Sequence, residues 1–221
     1  MDFEAAIEVG AVGLEVFTTV QGHHQAGAEA LVARRYGARG YTNTHLSTRN
    51  EAALTVCSAR QGDRIVGTIA VRFDSEAGFN AESTFPEEIR ALREAGHDLC
   101  EFSRLAVDED IADSKHVLAQ IFHLAYLHGH RLAGCRTLVI EVNPRHVAFY
   151  RRLLGFELLA GPRRNQRVDA PAVLMTLDLA KAEEWIAIYG GNPELSGSTR
   201  MLYPYFYGAE EEGEILARLR Q

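Results

Sequence analysis

Cysteine is scarce in this chain, and what there is does not pair. Cys57, Cys100 and Cys135 stand far apart, are odd in number and form no Cys-x-x-Cys motif. That argues against a disulfide framework or a zinc site and for three reduced thiols. The N-terminus, Met1-Asp2-Phe3-Glu4, is acidic, and no basic segment followed by an apolar run is present. Nowhere do about 20 apolar residues follow one another, so neither a signal peptide nor a transmembrane segment is expected, and the expected location is cytoplasmic. Positive charge is also in deficit. A net charge of -7 argues against a general nucleic-acid binder, though not against a local basic patch. Histidine is plentiful, but metal-ligand spacing is not. His116, His123 and His130 recur every seven residues, ~10.5 Å along a helix, too far apart to share one ion. His23 and His24 have no acidic or cysteine partner at ligand spacing, so no metal site is expected.

What is present suits an ordinary globular chain. It has 221 residues, of which 47% are apolar and 24% charged, enough for one core. Residues 25–36 read as a short amphipathic helix, and 37–50 as a polar loop rich in Gly and Thr. Residues 53–60 and 64–73 read as strands joined by Gln61-Gly62-Asp63, a hairpin turn. Residues 78–85 read as loop, and Pro86-Glu87-Glu88 opens a helix that Gly96 ends. A strand at 99–107, a helix at 114–131 and a strand at 137–142 follow, then a helix at 144–154 and a strand at 171–179. The order predicts an α/β fold with a mixed central sheet flanked by helices. Residues 1–179 are expected to form the main domain, and 180–221 an extension packed on or near it. The extension holds a weak helix around Glu183–Tyr189, the aromatic run Tyr203–Tyr207 and a terminal helix from Ala209 to Arg220.

Two segments carry chemistry. After the buried-strand pattern Thr137–Val142 comes Asn143-Pro144-Arg145-His146-Val147-Ala148-Phe149-Tyr150-Arg151-Arg152-Leu153-Leu154-Gly155-Phe156. Asn143 suits a helix cap, Pro144 the first turn, and Gly155 stops the helix. The second segment is Cys100-Glu101-Phe102-Ser103-Arg104-Leu105-Ala106-Val107. Alternation puts Glu101 and Ser103 on one face and Phe102 and Arg104 on the other. A carboxylate and a guanidinium in a largely apolar strand are costly unless paired or used, and separate structural ion pairs are the plain alternative.

The Asn143–Phe156 pattern resembles the closing motif of the GNAT superfamily of N-acyltransferases. Adding Val66–Arg72, Phe85–Leu92 and the Glu-Phe-Ser-Arg-Leu-Ala-Val strand, the likeness covers roughly Ile65 to Leu179. Glu-x-x-Arg on a strand is similar to the LuxI-type acyl-homoserine-lactone synthases. The whole is most similar to the long-chain N-acyl amino acid synthases of the FeeM type. The resemblance implies a GNAT-type fold and transfer of an acyl group, long-chain by family, from a thioester to the α-amine of an amino acid. It makes Glu101 the base for the attacking amine and Tyr150 the acid that protonates the departing thiolate. Arg72, Phe102, Ser103, Arg104, Asn143, His146 and Phe149 are then candidate substrate contacts. For His146 a plain helix-surface role is the alternative.

One feature departs from the ordinary CoA-dependent pattern. GNAT enzymes that use acetyl-CoA carry a glycine turn whose N–H groups cradle the pyrophosphate. Here that place holds Asp108-Glu109-Asp110-Ile111-Ala112-Asp113-Ser114, with four carboxylates and no glycine. Meanwhile Arg145, Arg151, Arg152, Arg163, Arg164 and Arg167 cluster within 25 positions, opposed in sequence only by Glu157. Both features favour a donor with one phosphodiester: the phosphopantetheine arm of an acidic acyl carrier protein, docked by Arg145, Arg151, Arg152, Arg163 and Arg164. No cofactor is expected to be permanently bound; the acyl-phosphopantetheine thioester is a co-substrate. The alternatives are an acyl-CoA-dependent acetyltransferase, a homoserine-lactone synthase using S-adenosylmethionine, and a non-catalytic GNAT-like module that binds and senses a ligand. The loop from Tyr36 to Arg49, which closes over the substrates in related synthases, lacks their usual Arg and Trp pattern and leaves the acceptor open.

Overall fold

The structure, a computed structural model, describes residues 4–8, 14–19, 24–41 and 54–221. Among them, eight strands form one sheet: β1 (Glu4–Glu8), β2 (Leu14–Thr19), β3 (Leu54–Gln61), β4 (Arg64–Phe73), β5 (Leu99–Val107), β6 (Thr137–Val142), β7 (Glu157–Asn165) and β8 (Ala170–Asp178). Their spatial order is β1-β2-β3-β4-β5-β6-β8-β7. Every neighbouring pair is antiparallel except β5 with β6. The helices are α1 (His24–Gly37), α2 (Pro86–Glu94), α3 (Ser114–Tyr126), α4 (Val147–Leu154), α5 (Leu179–Tyr189), α6 (Ser196–Thr199) and α7 (Ala209–Leu219).

Strand alternation sorts side chains onto two faces. On β6, Leu138 and Ile140 enter the larger core, while Val139 points the other way. On β8, Val173, Met175 and Leu177 share the face of Leu138, and Ala172 and Leu174 share that of Val139. The larger core packs against α3, α4, α5 and the C-terminal residues Leu202, Tyr203, Phe206, Tyr207, Ile215 and Leu216. The other face is covered by α2 with Phe79, Ala81 and Phe85, and by α1 through Ala28, Leu31 and Val32.

The hairpin β3–β4, strands β5 and β6, and helices α2, α3 and α4 lie where the sequence predicts them. Several elements differ. β7 is an edge strand with mostly exposed residues and a proline, so it shows no alternation to read. Residues 80–83, expected as loop, form a 3-10 turn. The long helix changes at Leu127 to a π-helical stretch that runs to Leu132. α5 begins at Leu179 rather than near Glu183, because the Asp178 carboxylate accepts from the Ala180 N–H at 2.9 Å and caps it. Of the polar loop after α1, residues 42–50 lie outside the described residues, as do Met1–Phe3 and His23.

α4 is fixed at both ends. Asn143 Oδ1 accepts from the Arg145 N–H at 3.1 Å. Beyond Leu154, Gly155 adopts φ 77, and a Cβ there would sit 2.2 Å from the Trp185 ring. Gly155→Ala should therefore cost about 2–4 kcal/mol, combining left-handed strain with overpacking. Thermal unfolding should show a drop on the order of 10 °C; a drop within error would mean that Trp185 moves aside freely.

Candidate active site

The site begins where two strands part. β5 and β6 pair only at Leu99–Thr137, Cys100–Leu138 and Glu101–Val139. Beyond Glu101, β6 stays with β8 as far as Val142, and β5 stays with β4. Between Ser103 and Ala106 the β4 pairing slips, so Arg104 and Leu105 lie opposite Ile69 alone. That is a bulge, and Arg104 takes φ 55 within it. The bulge bends β5 away from β6 and opens a gap in the middle of the sheet. On the gap side, the N–H and C=O groups of β5 after Glu101 have no β6 partner.

Glu101 lies at the mouth of this gap and is 1% exposed. Its Oε2 accepts from the Asn80 N–H and its Oε1 from the Ala81 N–H, each at 2.8 Å. The turn that supplies these donors is itself locked. Glu82 Oε1 accepts from the Phe79 N–H at 2.9 Å and from Arg93 Nη2 at 2.5 Å. The Arg93 guanidinium lies 5.3 Å from the centre of the Phe79 ring. Burial pushes the Glu101 pKa up to about 7, although the two N–H groups, Arg167 and Arg72 all oppose the rise. Arg72 is buried and lies directly across from Glu101 on β4, and its Nε has no hydrogen-bond partner among the described residues. A carboxylate has about four lone-pair sites, so two remain for a substrate amine or a water.

Tyr150 comes from the other face of the sheet, packed with the larger core. Its ring meets Phe149 at 5.2 Å and Phe156 at 5.4 Å, both edge-on. Burial holds its phenol well above the usual value, Tyr36 adds to this and Arg39 opposes it. A phenol held protonated can donate but will not act as a base. Tyr36, at the end of α1, thus lies near Tyr150; the stretch that begins with it is the one the resemblance sets over the substrates, although its first two residues belong to the helix rather than to a loop. Burial pushes Tyr36 up to about 12, against Arg39, Arg104 and Arg167. Its ring meets Tyr41 at 5.7 Å. Arg145 covers Tyr41 at 5.7 Å and donates to its Oη at 3.2 Å. Arg145 Nε also donates to His146 Nε2 at 3.2 Å. Burial, with Arg145 and Arg39, holds His146 below its usual pKa, hence neutral.

Other expected residues sort as follows. Phe102 projects into the larger core, and the Ser103 Oγ is buried without a hydrogen-bond partner among the described residues. Asn143 serves the helix start, and Phe149 is half-buried beside Tyr150. A second polar group under the gap had no assigned role in the sequence. Glu141 on β6 accepts from Thr84 Oγ1 at 2.6 Å, Asn165 Nδ2 at 2.7 Å and Arg167 Nη2 at 2.7 Å. Its signal was a lone acidic residue in an otherwise apolar strand.

The six arginines are less basic in space than in sequence. Arg163 pairs with Glu88, Arg164 with Asp169 and Arg167 with Glu141. Arg145, Arg151 and Arg152 have no ion-pair partner among the described residues. The acidic loop is neutralised in the same way. Asp108 pairs with Arg34 at 2.7 Å and Arg64 at 2.6 Å, Glu109 with Arg35, and Asp110 with Arg64 at 3.1 Å. Asp113 caps α3 by accepting from the His116 N–H at 3.0 Å.

No group of three or more His, Cys, Asp or Glu among the described residues is placed to hold a metal. His123 instead accepts from the Tyr207 N–H at 2.9 Å and meets Glu212 at 3.2 Å, and His130 meets Glu183 at 3.1 Å. The three cysteines are free and buried. No helix among the described residues is long and apolar enough to cross a membrane.

A carboxylate on β5 and a tyrosine on the helix after β6 were expected from the sequence resemblance, and comparison with known families decides the assignment. A family model described as N-acyl amino acid synthase FeeM matches residues 27–178. The chain belongs to this family. It is therefore an acyltransferase with a GNAT-type mixed sheet. The solved FeeM structure, from uncultured soil microbes, is 24% identical, with a TM-score of 0.68 over 77% of this chain and 93% of that one. An acyl-CoA N-acyltransferase from Pseudomonas aeruginosa is 13% identical, with a TM-score of 0.52 over 74% and 98%. The acyl-homoserine-lactone synthase LasI is 14% identical, with a TM-score of 0.51 over 75% and 89%. These likenesses carry the fold. No curated protein matches by sequence.

The raised pKa of Glu101 has a consequence for stability. Its folded value, about 7, lies above the ordinary 4.5, so the folded state holds the extra proton between these limits. The stability this gives is full below pH 4.5 and is lost as pH rises through about 7. Compared with Glu101→Gln, the native chain should lose on the order of 3 kcal/mol across that window in urea unfolding. A difference that stays constant with pH would show that Glu101 titrates at its ordinary value.

Proposed function

We propose that this family member moves an acyl group from the phosphopantetheine thioester of an acyl carrier protein to the α-amine of an amino acid. The observation that carries the reading is the parting of β5 and β6 at Glu101, with a base candidate on one face and an acid candidate on the other. The acceptor ammonium gives a proton to Glu101, directly or through one water, and the amine attacks the thioester carbonyl. N–H groups of β5 beyond Glu101, unpaired with β6, hold the carbonyl oxygen as it gains charge. The C–N bond forms and the C–S bond breaks; Tyr150 protonates the thiolate and is reprotonated by the second proton that the acylated nitrogen sheds, while Glu101 releases the first to water. Arg72 and Arg104 orient the acceptor, Ser103 offers a hydroxyl that has no hydrogen-bond partner among the described residues, and Phe102 and Phe149 flank the acyl group.

The choice of carrier protein over CoA rests on α3. Asp113 already takes a first-turn N–H there, and the loop before it presents carboxylates rather than glycine amides. Arg145, Arg151 and Arg152 remain to meet an acidic partner. CoA is the second reading, favoured by the arginines that neutralise Asp108, Glu109 and Asp110. Rates with the same acyl group on each carrier decide between them. The carrier-protein thioester should win, and Arg151→Ala with Arg152→Ala should lower kcat/KM for it about tenfold, more at low salt. Equal loss with acyl-CoA would remove the docking role.

The catalytic assignments are tested separately. With one acceptor, kcat/KM should rise with pH through about 7 as Glu101 ionises. Glu101→Gln should abolish that limb and cost about 10²–10⁴-fold. Tyr150→Phe should reduce kcat by about 10²-fold while the donor KM holds. Unimpaired turnover in either folded variant would overturn its assignment.

A further inference from the structure

Glu141 is a second carboxylate on the face of the sheet that carries the Glu101 side chain. On β6, Leu138 and Ile140 enter the larger core and Val139 points the other way, so alternation puts Glu141 with Val139. Val139 pairs with Glu101, and Glu141 stands two residues, ~6.6 Å, further along β6, past the point where the strands part. One turn meets both carboxylates. Asn80 and Ala81 donate their N–H groups to Glu101, and Thr84 Oγ1 donates to Glu141 at 2.6 Å. The proposed reaction uses only Glu101. A carboxylate that is 7% exposed is costly to keep ionised unless it is paired.

What Glu141 holds is Arg167, in the turn between β7 and β8. The buried Asn165 ties the two together. Its Oδ1 accepts from the Arg167 N–H at 2.8 Å and the Val168 N–H at 3.3 Å, and its Nδ2 donates to Glu141 Oε1 at 2.7 Å. Glu141 Oε2 accepts from Arg167 Nη2 at 2.7 Å. The other two guanidinium nitrogens, Nε and Nη1, have no hydrogen-bond partner among the described residues. Arg72, across from Glu101, is buried, whereas the Arg167 side chain is 44% exposed and open to an acceptor arriving from solvent. The charge of Arg167 acts on Glu101 more strongly than that of Arg72, and it also acts on Tyr36. The guanidinium therefore lies near both the base candidate and the end of α1.

We infer that Arg167, held by Glu141 and Asn165, binds the α-carboxylate of the acceptor. An α-amino acid carries its ammonium and its carboxylate on one carbon. With the ammonium at Glu101, the carboxylate meets the two guanidinium nitrogens that Glu141 leaves open. Glu141 and Asn165 are positioning residues: they fix a long, flexible side chain in advance, so less ordering is left to substrate binding. The inference rests on the transferase reading above and adds how the acceptor is selected. Amines that carry an adjacent carboxylate are taken, and those that lack it are passed over.

The test compares each standard amino acid with its own carboxamide as acceptor, reading thiol release from dodecanoyl acyl carrier protein. The carboxamide keeps the amine and the side chain and loses the negative charge. The native chain should favour the acid. Arg167→Gln should lower kcat/KM for the acid roughly 10- to 100-fold, mostly through KM, and leave the carboxamide nearly unchanged. Melting curves identify the folded variants. Glu141→Gln combined with Arg167→Gln removes the buried charge together with its partner and should show the same loss, so it decides if Arg167→Gln alone does not fold. A native chain that takes the carboxamide as readily, or a folded variant with the native acid-to-carboxamide ratio, overturns the carboxylate assignment and leaves the transferase reading intact. No thiol release from carrier protein or CoA with any acceptor overturns both.

Discussion

The site depends on a short parallel contact. β5 and β6 share three residue pairs and then separate, because a bulge at Arg104 bends one strand while β8 keeps hold of the other. Breaking a central ladder leaves backbone N–H and C=O groups without partners, a cost of the order of a lost hydrogen bond for each buried group. A fold keeps such a defect where the freed groups have work to do. Here the freed amides lie between a carboxylate on one face and a phenol on the other, so donor and acceptor would reach a common point from opposite sides of the sheet.

Glu101 has a structural role and, in the proposed reaction, a chemical one through the same atoms. Its two oxygens take the Asn80 and Ala81 amides and so hold the 80–83 turn against the sheet. Two N–H donors and the charges of Arg167 and Arg72 favour the ionised form, yet burial outweighs them and leaves the group near pH 7. A base needs that balance: ionised enough to accept a proton, and basic enough to keep it during the transfer. The locked contacts of Glu82 with Arg93 and Phe79 matter for the same reason. They keep the amide donors in place, so the carboxylate does not have to spend its remaining lone pairs on ordering the turn.

Much of this was legible because the responsible signals are local. Asn143-Pro144 and Gly155 mark the two ends of one helix, and a strand carrying Glu101 among apolar neighbours stands out from its own residues. The supporting shell was not legible. Nothing in Asn80 or Ala81 says that their backbone amides meet a carboxylate 20 positions on. β7 escaped notice because an exposed edge strand has no buried face to set a pattern. The charge runs misled for a related reason. Arg163, Arg164 and Arg167 look unopposed along the chain, but Glu88, Asp169 and Glu141 reach them in space. The acidic loop likewise meets Arg34, Arg35 and Arg64, which come from α1 and the start of β4. Sequence distance hides such pairings, and net charge cannot reveal them.

The C-terminal residues make the strongest case against treating the family-matched segment as self-sufficient. A helix leaves its last carbonyls without partners, and α4 ends inside the core where water cannot supply them. The Leu202 N–H and the Tyr203 hydroxyl take the Leu153 and Leu154 carbonyls, while Trp185 of α5 covers Gly155. Arg131 and His123 of the helix behind are tied to Glu212 of α7, and Arg131 and His130 to Glu183 of α5. These bonds bind the extension to the helix in front of it and to the helix behind it. The position of Tyr150 is thus fixed from Asn143 at one end and from residues past 178 at the other. Tyr203 and Phe206, both buried in the larger core, belong to the same short segment that caps α4, so this part of the core and the helix presenting the phenol are held as one piece.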